Sequence, residues 1–183
     1  MLSDVLSRPT LAVMLLFGLA SPSMAQPGAA SARTGAATSQ PQILAVMGAF
    51  RRAITVKDEP GFLALFMPGP VVWQSVDSDA TRAAKGIADR DPVFRDPGKT
   101  PQSFIRNIVI NPSSIDESMS NITIQSDGEI AAVAFNFVYS RDGQPTNCGL
   151  EAWHLLRTGG GWRIISVVWS NRPPAKSAIG GCA

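Results

Sequence analysis

The feature that most constrains the fold of this 183-residue chain is a stretch from about residue 115 to 170 in which apolar and polar residues alternate between turn signals. Ile122 and Ile124 alternate with polar neighbours, and the segment 130–141 is rich in β-branched and aromatic residues, a pattern typical of strands. Asp127-Gly128, Asp142-Gly143 and Gly159-Gly160-Gly161 interrupt the stretch, as hairpin turns do. It therefore predicts an antiparallel meander with strands near 130–141, 146–157 and 162–170, after a first strand that begins near 115.

A helical period precedes the meander. Ile43, Met47, Phe50 and Ile54 recur at helical spacing and predict one amphipathic helix over 41–57. Its start is indicated by the segment 39–42, Ser-Gln-Pro-Gln, which is a capping-box pattern that tolerates a proline in the first turn.

Shorter elements follow this helix. Asp58 can cap a second helix, which the Pro-Gly-Pro cluster at 68–70 ends, and the segment 71–77 has the character of a strand. A short helical turn is predicted near 101–107. Helices followed by a meander predict an α+β fold, with N-terminal helices packed on an antiparallel sheet.

Both ends of the chain differ in composition from the middle. Arg8, the apolar run 11–20 and the small residue Ala25 form a secretory signal peptide over 1–25, which predicts a periplasmic or secreted bacterial protein. A membrane anchor is the alternative, but the run is too short to cross a bilayer, so no membrane span is predicted after signal removal. Residues 26–40 hold no large apolar side chain and predict a flexible tether. The folding unit is then 41–172, followed by a tail over 173–183.

Charge and composition limit the function classes. The formal net charge is +2, which argues against a dedicated nucleic-acid binder, and 45% apolar residues exclude a disordered protein. Neither a phosphate loop nor a dinucleotide fingerprint is present, so no cofactor is predicted. Asp77-x-Asp79 and Asp89-x-Asp91 lack the Gly and distal Glu of a calcium loop. The single histidine, His154, excludes sites that need two, so no metal site is predicted.

The closing hairpin, with Cys148-Gly149 in one strand and Gly161-Trp162-Arg163-Ile164 in the next, resembles the nuclear transport factor 2-like superfamily. Within it, the chain is most similar to exported bacterial members grouped as lumazine-binding or polyketide cyclase-like proteins. The resemblance covers about 41–172. It implies a bent sheet wrapped on the first helix, a conical pocket, and a homodimer through the opposite sheet face. Relatives often have a histidine before the Cys-Gly pair, where this chain has Asn147.

Strand parity, counted from the three hairpin turns, divides the sheet residues between two faces. One face carries Trp153 and Leu155 together with a few polar groups, and the other carries mostly apolar residues, Val167 and Trp169 among them. The mixed face therefore predicts the pocket, although it could also be the wetter side of a two-layer domain. A bulge would exchange part of the assignment. With Trp73 from the first strand, the predicted pocket residues are Trp73, Asn136, Glu151, Trp153, Leu155, Ser166 and Ser170.

Two carboxylates are the candidates for chemistry. Glu151, if it lies inside among apolar neighbours, would have a raised pKa and could act as a general acid or base; the alternative is a solvated Glu151 paired with Arg157 or Arg163. Asp77 could be its partner, or a simple turn residue. The chain is therefore expected to bind a small, mostly apolar ligand. An isomerase or dehydratase that uses Glu151 and Asp77 is the competing function, and a dimeric interaction module is a third.

The two cysteines, Cys148 and Cys182, form the only possible intramolecular pair. An even cysteine count in an exported chain predicts a disulfide, which would close a loop over 148–182. A buried free Cys148 with an unbonded Cys182 is the alternative.

Overall fold

The computed structural model describes residues 28–87 and 98–174, with side chains from Ser39 onward. Three predictions fall on residues outside these ranges: the signal peptide over 1–25, the Asp89-x-Asp91 motif, and Cys182. In chain order the elements are α1 (Gly28–Val56), α2 (Glu59–Leu63), β1 (Val72–Asp77), α3 (Asp79–Ala84), α4 (Pro101–Ile110), β2 (Ile115–Ser126), β3 (Ile130–Arg141), β4 (Gln144–Thr158) and β5 (Gly161–Asn171).

The first helix is longer than the sequence pattern predicted. It begins at Gly28 rather than near residue 41, so the segment 28–40 is helical and not an irregular tether. Alanine-rich segments have a high helix propensity even when they bury nothing, and the lack of large side chains was mistaken for a lack of structure. Pro41 therefore lies inside the helix. Gln42 does not cap it, because its Oε1 accepts a hydrogen bond from Trp162 Nε1 at 3.1 Å.

The shorter helices begin at caps that the sequence supplies. Asp58 Oδ1 accepts from the Gly61 backbone N–H at 2.9 Å at the start of α2, as predicted. Thr100 Oγ1 accepts from the Ser103 N–H at 3.1 Å while Ser103 Oγ accepts from the Thr100 N–H at 3.0 Å, a reciprocal capping box that starts α4. The helix α4 extends past the predicted turn to Ile110 because Ile105 and Ile108 are buried.

The sheet contains five strands in the order β1-β5-β4-β3-β2. The predicted antiparallel meander is present in β2 to β5. The predicted α+β fold is confirmed. The sheet departs from the antiparallel prediction at one edge, where β1 pairs parallel to β5 and aligns Val72 with Ser166 and Asp77 with Asn171. The chain between these two strands contains the two later helices and three more strands, which is long enough for the crossover that a parallel pair requires.

The core lies between α1 and the inner face of the sheet. The predicted helix residues Ile43, Met47, Phe50 and Ile54 are all buried. The Phe50 ring lies 4.8 Å from Trp153 and 4.9 Å from Phe62, measured between centroids. Among the residues that the structure describes, no helix has the length and apolar character needed to cross a membrane.

Three irregularities in the register decide which side chains face α1. On β2 the register shifts between Ser120 and Thr123. On β4, Thr146 has no partner in the pairing with β3, and on β5, Ile165 has none in the pairing with β4. Since successive strand residues point to opposite faces, each extra residue reverses the parity beyond it.

Candidate functional site

A cavity of about 340 Å³ opens between α1, α4 and the inner face of the sheet. Aromatic side chains and a few polar groups line it. Residues of β1, β2, β3, β4 and β5 all contribute, so the sheet supplies most of the wall. The lining residues are Phe50, Trp73, Ser75, Lys99, Ser103, Phe104, Asn107, Glu117, Phe137, Tyr139, Asn147, Glu151, Val167, Trp169 and Asn171.

The structure brings only part of the predicted pocket together. Trp73 and Glu151 line the cavity. Trp153 and Leu155 are on the same face but belong to the buried core. The placement of Asn136 was wrong, because the unpaired Thr146 shifts β3 by one residue and sets Phe135 opposite Glu151.

Ser166 and Ser170 were also predicted in the pocket but do not line the cavity, again because of one unpaired strand residue. The unpaired Ile165 shifts β5, so Val167 lies opposite Trp153 and Trp169 lies opposite Glu151. The cavity is therefore lined by Val167 and Trp169, which the parity count had assigned to the opposite face.

Glu151 is buried on the inner face of β4, with 4% of its surface exposed. Its Oε1 accepts a hydrogen bond from Trp153 Nε1 at 2.5 Å. Burial raises the pKa of this carboxyl to about 7, although the indole hydrogen bond works in the opposite direction. The alternative of a solvated Glu151 paired with arginine is not what the structure contains, since Arg157 and Arg163 donate to the backbone carbonyls of Gly128 and Trp162.

Glu117, which the sequence analysis did not single out, is a second buried carboxyl in the same cavity. It is 4% exposed, and within the described residues its Oε1 has no hydrogen-bond partner. Burial, then the charges of Glu151 and Asp116, raise its pKa well above the ordinary value. The sequence pattern that indicates Glu117 is its alternation with Ile115 and Met119, which places it on the apolar side of β2.

Tyr139 is the neighbour of Glu117 across the β2–β3 pair and also lines the cavity. Burial, and next the charge of Glu117, raise the pKa of its phenol, so it stays protonated at neutral pH. The cavity thus offers a phenol and two carboxyl groups to a ligand. Each can donate a hydrogen bond when protonated.

Asp77, the predicted partner of Glu151, lies elsewhere. Its Oδ2 accepts from Lys85 Nζ at 2.7 Å and its Oδ1 from Asn171 Nδ2 at 3.1 Å, and it lines a second hollow near Thr81. Partial burial opposes ionisation, but the hydrogen bonds from Lys85 and Asn171 outweigh it and keep the pKa of Asp77 below its usual range. Glu117 takes the place that had been predicted for Asp77.

Asn171 connects the two hollows. It lines both, donates to Asp77, and accepts at Oδ1 from Trp169 Nε1 at 3.1 Å. It therefore holds the Trp169 indole at the wall of the cavity that contains Glu117 and Glu151.

The part of the chain that the structure describes contains no cluster of three or more metal-ligating side chains. In the Asp77-x-Asp79 motif, Asp79 pairs with Arg82 at 2.5 Å and Asp77 pairs with Lys85. Each of the two carboxylates therefore forms an ion pair with a basic side chain of the protein.

The arrangement of the helices and strands is that of a known fold. An α+β domain with a long first helix on a five-stranded sheet, and a cavity between them, is the cystatin-like fold of nuclear transport factor 2-like proteins. No family model matches the sequence, and no curated protein matches it.

Solved structures establish this fold. A nuclear transport factor 2-like protein with a cystatin-like fold from Novosphingobium aromaticivorans superposes with a TM-score of 0.58, at 13% identity, over 85% of this chain and 96% of that one. A cystatin-like protein of unknown function from Nostoc punctiforme gives 0.53 at 12% identity, over 76% and 95%. A "putative dehydratase" of the nuclear transport factor 2-like family from Streptomyces avermitilis gives 0.50 at 17% identity, over 74% and 95%.

Proposed function

We propose that the cavity binds a small organic molecule with a flat, largely apolar body and a polar end. The volume is within the range of ligand pockets, which are roughly 300 to 1,000 Å³ and mostly apolar, with a few convergent polar groups. The aromatic rings of Trp73, Phe104 and Trp169 would contact the body, and Glu117 and Glu151 the polar end. The resemblance to lumazine-binding members suggests the neutral bicyclic ring of a lumazine as one candidate ligand.

The observation that carries the proposal is Oε1 of Glu117, which faces an open cavity and has no hydrogen-bond partner in the part of the chain that the structure describes. A buried polar atom without a hydrogen bond destabilises a protein by about 1 to 3 kcal/mol. A domain that served only as an interaction module would be expected to fill this space with its own side chains. The open cavity therefore supports a ligand that completes the site.

Native mass spectrometry of the protein isolated from its own source should detect a bound small molecule that organic extraction releases. The variant Ser75→Phe places a ring in the cavity and should lose that extra mass. Ser118→Phe, at an exposed position on β2, is the matched control and should keep it. An extra mass that is equally present in both variants would contradict the proposed site.

A second function is favoured by the pKa of Glu151. A general acid or base works best when its pKa is near the operating pH, and burial raises that of Glu151 to about 7. With Glu117 protonated beside it, the pair could move a proton next to a carbonyl group, as an isomerase or dehydratase does. We therefore propose Glu151 and Glu117, and not Glu151 and Asp77, as the acid–base pair of this alternative.

We also propose that the protein is exported and contains a disulfide between Cys148 and Cys182. The chain after β5 passes directly beside Cys148, because the Arg172 N–H donates to the Cys148 carbonyl at 2.8 Å. The Cys148 Sγ is 3.7 Å from the Pro173 carbonyl oxygen. From Pro174, eight residues at over ~3 Å each give Cys182 ample reach back to this position.

Non-reducing peptide mapping of the protein from its own source should recover a cross-linked pair containing residues 148 and 182, with Gln26 as the N-terminus. Such a bond closes a 35-residue loop, so reduction should lower the free energy of unfolding by about 3 to 4 kcal/mol. Cys148→Ser and Cys182→Ser are matched variants that should each cause the same loss. Two alkylatable thiols together with an uncleaved N-terminus would contradict the proposal.

We further propose a homodimer through the outer face of the sheet. That face exposes Leu150, at 55% of its surface, with Ile130 and Val168 also exposed. Such a set is typical of a surface that associates with another protein. A second copy of the chain would bury these residues on both subunits through one symmetric contact.

Leu150→Glu should convert a dimer into a monomer in analytical ultracentrifugation, because it buries a charge in the interface. Ile110→Glu is the control, since Ile110 is 78% exposed at the end of α4 and lies off the sheet. A wild-type monomer, or dissociation by both variants alike, would contradict an interface on the outer sheet face.

A further inference from the structure

The cavity contains aromatic rings and carboxyl groups together. The Trp73 ring lies 5.2 Å from Trp169 and 5.1 Å from Phe104, measured between centroids, and Phe104 lies 6.4 Å from Tyr139. The four rings are therefore one continuous aromatic cluster along the cavity. The faces of such rings attract cations, tryptophan most strongly.

Among the residues that the structure describes, no buried cation lines this cavity beside the carboxyl groups. Of the fifteen lining residues, Glu117 and Glu151 are the acids and Lys99 is the one base. Lys99 is exposed, whereas both glutamates are buried. Trp153 supplies Glu151 with a hydrogen bond, but Oε1 of Glu117 has no partner among the described residues. A positively charged group from a ligand would provide the partner that Glu117 lacks among these residues.

We propose that the ligand of this cavity is an organic cation, a protonated amine on a flat apolar body, held between the carboxylates of Glu117 and Glu151 and the rings of Trp73, Phe104 and Trp169. The inference rests on the proposed ligand-binding function and adds the ligand's charge. An ammonium group donates three hydrogen bonds and accepts none, so it matches acids that are ionised rather than protonated. When ionised, the same two carboxylates would repel an anionic ligand.

The charges around the two acids determine how binding depends on pH. Asp116, next to Glu117 on β2, adds negative charge, although Arg51 of α1 pairs with it at 2.8 Å. Across the sheet, Tyr139 of β3 faces Glu117. The helix α4 contributes the uncharged Ser103, Phe104 and Asn107 to the cavity lining, and Lys99 lies exposed before α4.

The protonation of the two acids determines whether a cation binds more tightly or more weakly as the pH rises. Burial keeps the pKa of both acids raised in the empty cavity, so a cation must displace protons from them when it binds. Affinity for a cation should therefore increase as the pH rises through about 7, and binding should release protons. A neutral ligand that accepts a hydrogen bond from a protonated acid should show the opposite slope, as lumazine or a ketone would.

The test uses three phenyl compounds of similar size and different charge: 2-phenylethylamine, 2-phenylethanol and phenylacetate. Isothermal titration calorimetry of the full chain between about pH 6 and about pH 8, in two buffers of different ionisation enthalpy, gives each affinity and the number of protons released. At about pH 8, we expect the amine to bind at least about tenfold more tightly than the alcohol. Phenylacetate should bind most weakly. In the double variant Glu117→Gln with Glu151→Gln, the amine and the alcohol should differ by less than about threefold.

Each outcome bears on the inference. An affinity for the amine that rises with pH, with proton release, and a preference that the double variant removes, would support it. Alcohol binding as tight as amine binding, or amine binding that weakens as the pH rises, would overturn the cation while the ligand-binding function stands. Failure of all three compounds at their solubility limits would overturn the cation as well, and native mass spectrometry would then judge the proposed function by itself.

Discussion

Raising the pH from about 5 to about 8 should lower the free energy of unfolding of this protein by about 3 kcal/mol or more. The carboxyl of Glu151 ionises near 4.5 when unfolded and near 7 when folded, so in this window the folded chain binds the extra proton. Stability therefore falls with rising pH, and the difference in pKa corresponds to about 3 kcal/mol. Glu117, whose pKa is also raised, extends the loss to higher pH.

Urea unfolding at a series of pH values measures this slope. The single variants Glu117→Gln and Glu151→Gln should each flatten it, and each should be more stable than the natural chain at pH 8. Glu129→Gln, an exposed glutamate at the β2–β3 turn, is the control that should leave the slope unchanged. The window avoids lower pH, where the lowered pKa of Asp116 and of Asp77 makes stability fall as the pH decreases. A free energy of unfolding that stays constant or rises between about pH 5 and about pH 8 would contradict the raised pKa values of Glu117 and Glu151.

Trp153→Ala should destabilise the protein by about 3 to 5 kcal/mol, the usual cost of removing a large buried aromatic side chain. Trp153 is fully buried and packs against Phe50 and Phe135, with centroids 4.8 Å and 5.1 Å away. Urea unfolding at constant pH measures the loss. A change below about 1 kcal/mol would mean that the indole is not part of a close-packed core.

Trp153→Phe separates packing from hydrogen bonding. It keeps an aromatic ring but removes the N–H that donates to Glu151, so the pKa of Glu151 should rise further. Trp162→Phe is the matched control, because this buried tryptophan donates to Gln42 instead and should leave the titration of Glu151 unchanged. Equal effects of both substitutions on Glu151 would show that the indole of Trp153 has no special role.

The sequence predicted the kinds of elements well because local signals define them. Asp58 caps α2 as predicted, the three turn signals close the three hairpins, and the buried stripe of α1 follows its helical period. The length of α1 was missed for a physical reason, since its alanine-rich first half shows no apolar stripe. The parallel pairing of β1 with β5 depends on contacts between distant parts of the chain, which no local pattern contains.

Fewer residues of the candidate site were predicted correctly, because one extra residue in a strand reverses the face to which all later residues of that strand point. Glu151 was placed correctly in the cavity, but Asn136, Ser166 and Ser170 were not. Thr146 and Ile165 each add one unpaired residue to a strand, and nothing in their side chains marks them as bulges. The alternation of Ile115, Glu117 and Met119 places Glu117 on the apolar side of β2, but the register shift between Ser120 and Thr123 breaks this alternation before Ile122 and Ile124, from which the strand was predicted.

Two buried carboxyl groups face one aromatic cavity, and burial raises the pKa of both above the ordinary range for glutamate. The most direct measurement is a ¹³C NMR titration of the side-chain carboxyls, since the chain contains only four glutamates and the variants Glu117→Gln and Glu151→Gln assign the two resonances. We expect Glu151 to titrate near pH 7 and the pKa of Glu117 to lie well above 4.5 as well. Titration of both groups near 4.5 would contradict this expectation.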